Sequence, residues 1–166
     1  MLAVPGCKKW CFNDTCDVDN SFNAYSDDKT VIKDATAFAA YLKENKIHFS
    51  YDKHDLDADD KAILGDVAEY MMKNPDVNLR IEGHTDIRGT REYNLGLGER
   101  RAHAVHAYLK QLGVNESQLK TLSYGKEHPL RNVTSNDSSS LDGDLIEQYH
   151  AENRRAELIP VIPMIG

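Results

Sequence analysis

No stretch of about eighteen apolar residues occurs in this 166-residue sequence, so no segment reads as a membrane-spanning helix. Positive charge is also in short supply. Twenty Lys and Arg stand against 27 Asp and Glu, for a net charge of −7. That balance argues against nucleic acid as the main partner, because phosphate binding needs basic patches. Cysteine is scarce and confined to one end, at Cys7, Cys11 and Cys16. Catalytic signatures are missing as well. There is no Gly-x-Ser-x-Gly, no HExxH and no P-loop, and no cysteine–histidine constellation lies in residues 46–166. The GLGER run at 96–100 has a Gly-x-Gly, but it sits inside a helical pattern and lacks the third glycine. His84 lies two residues from Asp86, and His103 and His106 share a helix. Neither group offers a complete ligand set, so neither a metal nor a cofactor is expected. No internal repeat is visible.

What is present divides the chain in two. Residues 1–45 read as an N-terminal extension, polar over 1–30, with a helix near 34–45 that places Phe38, Tyr41 and Leu42 on one side. The clustered cysteines suggest an oxidising compartment, with one disulfide (Cys11 and Cys16 as the candidate pair) and one cysteine left over. Zinc is the rival for the three thiols, although their spacing lacks the usual paired pattern. Residues 46–166 read as a folded domain. Ile47, Phe49 and Tyr51 alternate with Lys46, His48 and Ser50, which predicts a half-buried strand. Asp57 can cap a helix whose stripe is Ile63, Leu64, Val67, Ala68, Met71 and Met72, stopped by Asn74-Pro75. Val77, Leu79 and Ile81 predict a second strand. A long helix follows Thr90 and ends near Gly113. Residues 119–124 read as a third strand, 132–143 as a polar loop, and 155–162 as a last strand whose Pro160 suggests an edge or a strand end. Two crossover helices allow parallel strands. The expected fold is therefore α+β, a two-layer α/β sandwich with a small mixed sheet and helices packed on one face.

One residue breaks the helical pattern in an informative way. On the helix after Thr90 the apolar stripe runs Leu97, Val105, Leu109 and Leu112, and Arg101 falls between Leu97 and Val105 on the same face. A guanidinium held against a core needs a partner, and Asp86, in the turn before the helix, is the expected one. A pinned acid–base pair at a loop–helix junction suits a ligand that carries both charges. The surrounding Arg88, Arg91, Arg100 and Arg101, set against Asp86, Glu92 and Glu99, read as a local anion site.

The HTD at 84–86, Gly89, Tyr93-Asn94, ERRA at 99–102, SYGKEHP at 123–129 and NRR at 153–155 resemble, in order, the OmpA-like peptidoglycan-binding domain. HFSYDKHDL at 48–56 resembles its first strand and turn in the peptidoglycan-associated lipoproteins (Pal). The resemblance spans roughly 46–162. It implies a βαβαββ layout and non-catalytic binding of the peptidoglycan peptide stem at diaminopimelate, anchoring an outer membrane to the cell wall. It further implies a periplasmic location in a Gram-negative bacterium and TolB as a second partner. Carried over residue by residue, it gives Asp86 the ligand's ammonium and Arg101 its carboxylate. Asp52, Thr85, Asn94 and Arg154 line the same pocket. LAVPGC at 2–7 resembles a lipoprotein processing site, making Cys7 a candidate for lipidation and for attachment to a membrane. Ordinary tail residues are the competing reading there. The rivals in function are the periplasmic domain of an OmpA-type porin or of a flagellar stator and, from another class, a cell-wall hydrolase.

Overall fold

A computed structural model describes residues 32, 34–132 and 142–161. The chain divides into two units, residues 1–31 and 32–166, and the described residues all belong to the second. The expectations for 1–30, for all three cysteines and for most of the 132–143 loop lie outside the described residues.

The elements run α1 (Ala35–Glu44), β1 (Ile47–His48), α2 (Ala58–Lys73), β2 (Asn78–His84), α3 (Arg91–Gln111), β3 (Leu119–Gly125), α4 (Gly143–Asn153) and β4 (Arg155–Val161). Side-chain caps start three of the helices. Asp34 accepts from Ala37 N–H, and Thr90 accepts from Tyr93 N–H. Asp57 and Asp60 form a reciprocal capping box, with Asp59 also in the helix's first turn. Gly113 ends α3 with a φ of +103°, a conformation that a side chain would strain.

The four strands form one sheet in the order β1-β4-β2-β3. β2 pairs parallel with β3, the connection being made through α3, and antiparallel with β4, with Ile81 opposite Leu158. Leu79 and Ile81 of β2 and Ala156 and Leu158 of β4 are buried. They meet Leu64, Val67 and Met71 of α2 and Ala102, Val105 and Leu109 of α3 in one apolar core. This is the expected α+β arrangement with a mixed sheet.

Four details depart from the expectation. The first strand is short: pairing to β4 covers only Ile47 and His48, because a turn at 50–53 pulls Tyr51 out to 59% exposure. Met72 is exposed too, while Tyr70 is buried and stacks on Phe38 with ring centroids 4.1 Å apart. The helix α1, assigned on sequence to the extension, buries Phe38 and Leu42 in the domain core, so the compact unit begins at Ile32 and not at 46. Finally, α4 occupies a segment in which no helix was expected. β4 then lies inside the sheet, but β1 covers only its first two residues, so at Pro160 that side is unpaired by any described strand.

Candidate functional site

The C-terminal end of β2 delivers His84, Thr85 and Asp86 to the start of α3. Thr85 N–H donates to Gly125 O at 2.9 Å, fixing this segment to the end of β3. A cavity of about 190 Å³ opens there, bounded by the turn at 51–52, residues 85–89, the first turns of α3, and Arg154 at the end of α4. Asp52, Thr85, Asp86, Asn94, Arg101 and Arg154, the six residues singled out from sequence, all line it.

Arg101 forms the floor. It is fully buried, on the helical face that the sequence pattern predicted. Its partners differ from the expectation. No ion pair joins it to Asp86. Instead Nε donates to Lys53 O (2.9 Å), Nη1 to His84 O (2.8 Å) and Nη2 to Ser50 O (3.3 Å). The Phe49 ring lies 5.1 Å from its guanidinium carbon. Three carbonyl dipoles converge on the planar fork and stand in for an anion, while the carboxylate of Asp86 is already taken. A guanidinium offers five N–H groups, and these bonds use three of them. Burial pushes its pKa down to about 10, with the charge of Asp86 opposing the shift, so Arg101 is still a cation at neutral pH.

Asp86 sits at the mouth, 4% exposed. Oδ1 accepts from Arg88 N–H (3.2 Å), closing a tight turn, and Oδ2 accepts from Arg88 Nη2 (2.5 Å) and Arg154 Nη1 (3.4 Å). Burial alone would raise its pKa. The hydrogen bonds and charge of Arg88, helped by Arg154, hold it below the ordinary carboxylate value. Glu147 on α4 bridges the same two arginines, at 3.1 Å from Arg88 Nη1 and 2.8 Å from Arg154 Nη1. Arg154 Nε also donates to Phe49 O, tying the mouth to the segment after β1. Arg88 lies over the Tyr51 ring, 4.2 Å from its centroid.

Asn94 is buried and donates to Arg88 O (2.8 Å) and Thr90 O (3.0 Å), so it shapes the 88–90 turn. Asp52 is exposed, with a φ of +57°, and accepts from the Tyr93 hydroxyl across the opening. Sequence reasoning placed Arg88 in a basic cluster without giving it this role and set Tyr51 beside Asp52 at the pocket, where it does lie, but it gave no role to Tyr93 or Glu147. Glu147 had a signal: Leu145, Ile146, Tyr149 and His150 follow Asp142 at helical spacing. Chemically, the site pairs a fixed cation beneath with a carboxylate at the rim held by exchangeable arginines. That arrangement suits a small zwitterion. No nucleophile with an adjacent general base lines it.

The OmpA family model matches residues 48–142. A peptidoglycan-associated lipoprotein of Pseudomonas aeruginosa is 46% identical over 120 residues, 72% of this chain and 64% of that protein. One from Haemophilus influenzae is 40% identical over 114 residues, 69% of this chain and 67% of that protein. The chain thus spans about two thirds of the length of these relatives. The crystal structure of the peptidoglycan-associated lipoprotein from Burkholderia pseudomallei superposes with a TM-score of 0.64 at 35% identity, covering 73% of this chain and 93% of that one.

Proposed function

The chain belongs to the OmpA family, on its peptidoglycan-associated lipoprotein branch, and from that premise we propose that it binds the peptide stem of peptidoglycan without cleaving it. The observation that carries the proposal is the convergence of Asp86, Arg101 and Arg154, with Asp52, Thr85 and Asn94, on one cavity. Diaminopimelate is the stem residue that such a cavity suits. Its ammonium meets Asp86. Its carboxylate meets the remaining N–H groups of Arg101 and the fork of Arg154, which can grip it in two places. The ligand exchanges with Arg88 and Glu147 for these partners, so binding replaces internal ion pairs and leaves no bare charge. Bound in this way, the protein anchors the outer membrane of a Gram-negative cell to its wall from the periplasmic side. TolB is a second partner consistent with the same branch, and Cys7 is its candidate point of lipid attachment.

Sedimentation with purified sacculi tests the reading. The protein is expected to pellet with sacculi and to release no muropeptides detectable by mass spectrometry. Release would favour the hydrolase, and failure to pellet would favour a module that binds protein alone. Titration calorimetry sharpens the chemistry. A stem with a free carboxylate is expected to bind more tightly than its amidated form, since an amide places NH2 donors against guanidinium donors. Equal affinities would show that Arg101 and Arg154 serve the fold.

A further inference from the structure

Strand geometry sorts β2 into two faces. Leu79 and Ile81 enter the core, so Arg80, Glu82 and His84 share the opposite face. On β4, Arg155 and Glu157 likewise lie opposite Ala156 and Leu158. The antiparallel register puts Glu82 directly across from Glu157. Like charges facing across a strand pair are destabilising. Two arginines offset the repulsion along their own strands, Arg80 Nε to Glu82 Oε1 and Arg155 Nε to Glu157 Oε1, both at 2.6 Å. Each uses one carboxylate oxygen.

His84 completes the cluster. It is 3% exposed, and neither Nδ1 nor Nε2 has a hydrogen-bond partner among the described residues. Its ring stacks near Tyr124, centroids 5.5 Å apart, and Nε2 stops 3.9 Å from Glu82 Oε2. A buried imidazole without a partner is costly, and it calls for an explanation. Burial, reinforced by the charge of Arg155, holds its pKa at about 4, so the ring is neutral at pH 7, the form that donates a lone pair to a metal. His84, Glu82 and Glu157 line a cavity of about 370 Å³ roofed by the 128–130 segment.

We propose that Glu82, His84 and Glu157 form a divalent metal site, with Zn²⁺ as the ion it fits best. One ligand atom from each residue lies within 4.8 Å of the other two. Metal–ligand distances of about 2.1 Å in a tetrahedron separate ligands by roughly 3.4 Å, so the three must close by roughly an ångström. One imidazole and two carboxylate oxygens are ordinary zinc ligands, and three protein ligands leave one position for a small molecule or water. Arg80 and Arg155 orient the two carboxylates from behind. The site is separate from the peptide pocket but shares a residue with its frame, because His84 O accepts from the floor arginine.

The test uses the full chain with Cys7, Cys11 and Cys16 changed to serine, because thiolates compete for zinc. Equilibrium dialysis with Zn²⁺ is expected to show one bound equivalent. His84→Gln and Glu157→Gln should each weaken it by at least ten- to a hundredfold, on the order of the losses seen even for outer-sphere changes. His103→Ala/His106→Ala, which removes the solvent-facing pair on α3, should leave it unchanged. No retained zinc, or zinc retained equally by His84→Gln and Glu157→Gln, overturns the proposal. If those variants do not fold, imidazole resonances of the cysteine-free parent decide. Zn²⁺ should shift the His84 ring, told apart from His128, which also packs on Tyr124 at 4.4 Å, by its assignment through the His128→Gln variant, and shifts confined to the other histidines refute the site. Sacculus sedimentation with and without chelator keeps this result separate from the peptide-binding reading.

Discussion

The floor and the mouth of the proposed peptide pocket both rest on a buried arginine, yet they hold it in different ways. Arg101 spends its N–H groups on backbone carbonyls of three residues and has no carboxylate in contact. Arg154 bonds two carboxylates, those of Asp86 and Glu147, and one carbonyl. Backbone acceptors cannot leave without unfolding the 50–53 turn or the end of β2. Side-chain acceptors can swing away. The floor is therefore a permanent charge built into the fold, and the mouth is a set of pairs that a ligand can trade against.

Arg101→Ala should separate the two most sharply. It removes the donor from three carbonyls, of which the His84 bond is fully buried and the other two partly so, and a loss of about 1–3 kcal/mol is expected, read by urea denaturation, together with loss of sacculus binding. Unchanged stability would mean that the turn at 50–53 holds itself. Asp86→Ala acts at the mouth only. The fold should survive while binding weakens ten- to a hundredfold, the equivalent of about 1.5–3 kcal/mol for a charge-assisted hydrogen bond. Parent-like sedimentation by the folded variant would remove Asp86 from the site. Glu147→Gln should do least to stability, under about 1 kcal/mol, since the carboxylate is half exposed. It frees both arginines, so stem binding should tighten by up to about fivefold. Weakened binding would instead make Glu147 an orienting partner.

Acid gives the smallest effect. Asp86 and Glu147 both have folded pKa values below their ordinary 3.8 and 4.5, since their arginines outweigh burial. An unfolded chain takes up those protons first as pH falls. The contribution of the mouth is thus complete above about pH 4.5 and is lost as pH drops through the lowered values. Sedimentation at about pH 7 and pH 5 should match, with a fall only in stronger acid. A drop between those two values would point to a histidine.

Much of this layout was legible in the amino-acid sequence. The placement of Arg101 followed from helical period alone, and the starts of α2 and α3 followed from Asp57 and Thr90. The acceptors of Arg101 were not legible, because a carbonyl carries no mark in a sequence. The left-handed backbone of Asp52 likewise gave no sign that Tyr51 would leave the sheet and meet Arg88. The helix α4 begins where the serine- and aspartate-rich loop reading of 132–143 stops, and its own short apolar stripe drew no element assignment. With it went Glu147, which lies seven residues before Arg154.

Behind the pocket, α3 crosses β2 at two glycines. A methyl group added at Gly83 would run into the Gly98 carbonyl, and one at Gly98 would run into the Ser123 hydroxyl and the backbone of Gly83. Helix and strand meet there main chain to main chain, with no side chain between them to trim or enlarge. The spacing between the end of β2, which leads into Asp86, and the part of α3 that carries Arg101 is thereby set like the jaw of a fixed spanner. Any attempt to retune the pocket for a bulkier stem residue has to work on the adjustable rim, at Tyr51, Asp52, Arg88 and Glu147. Widening the jaw itself would mean separating α3 from the sheet.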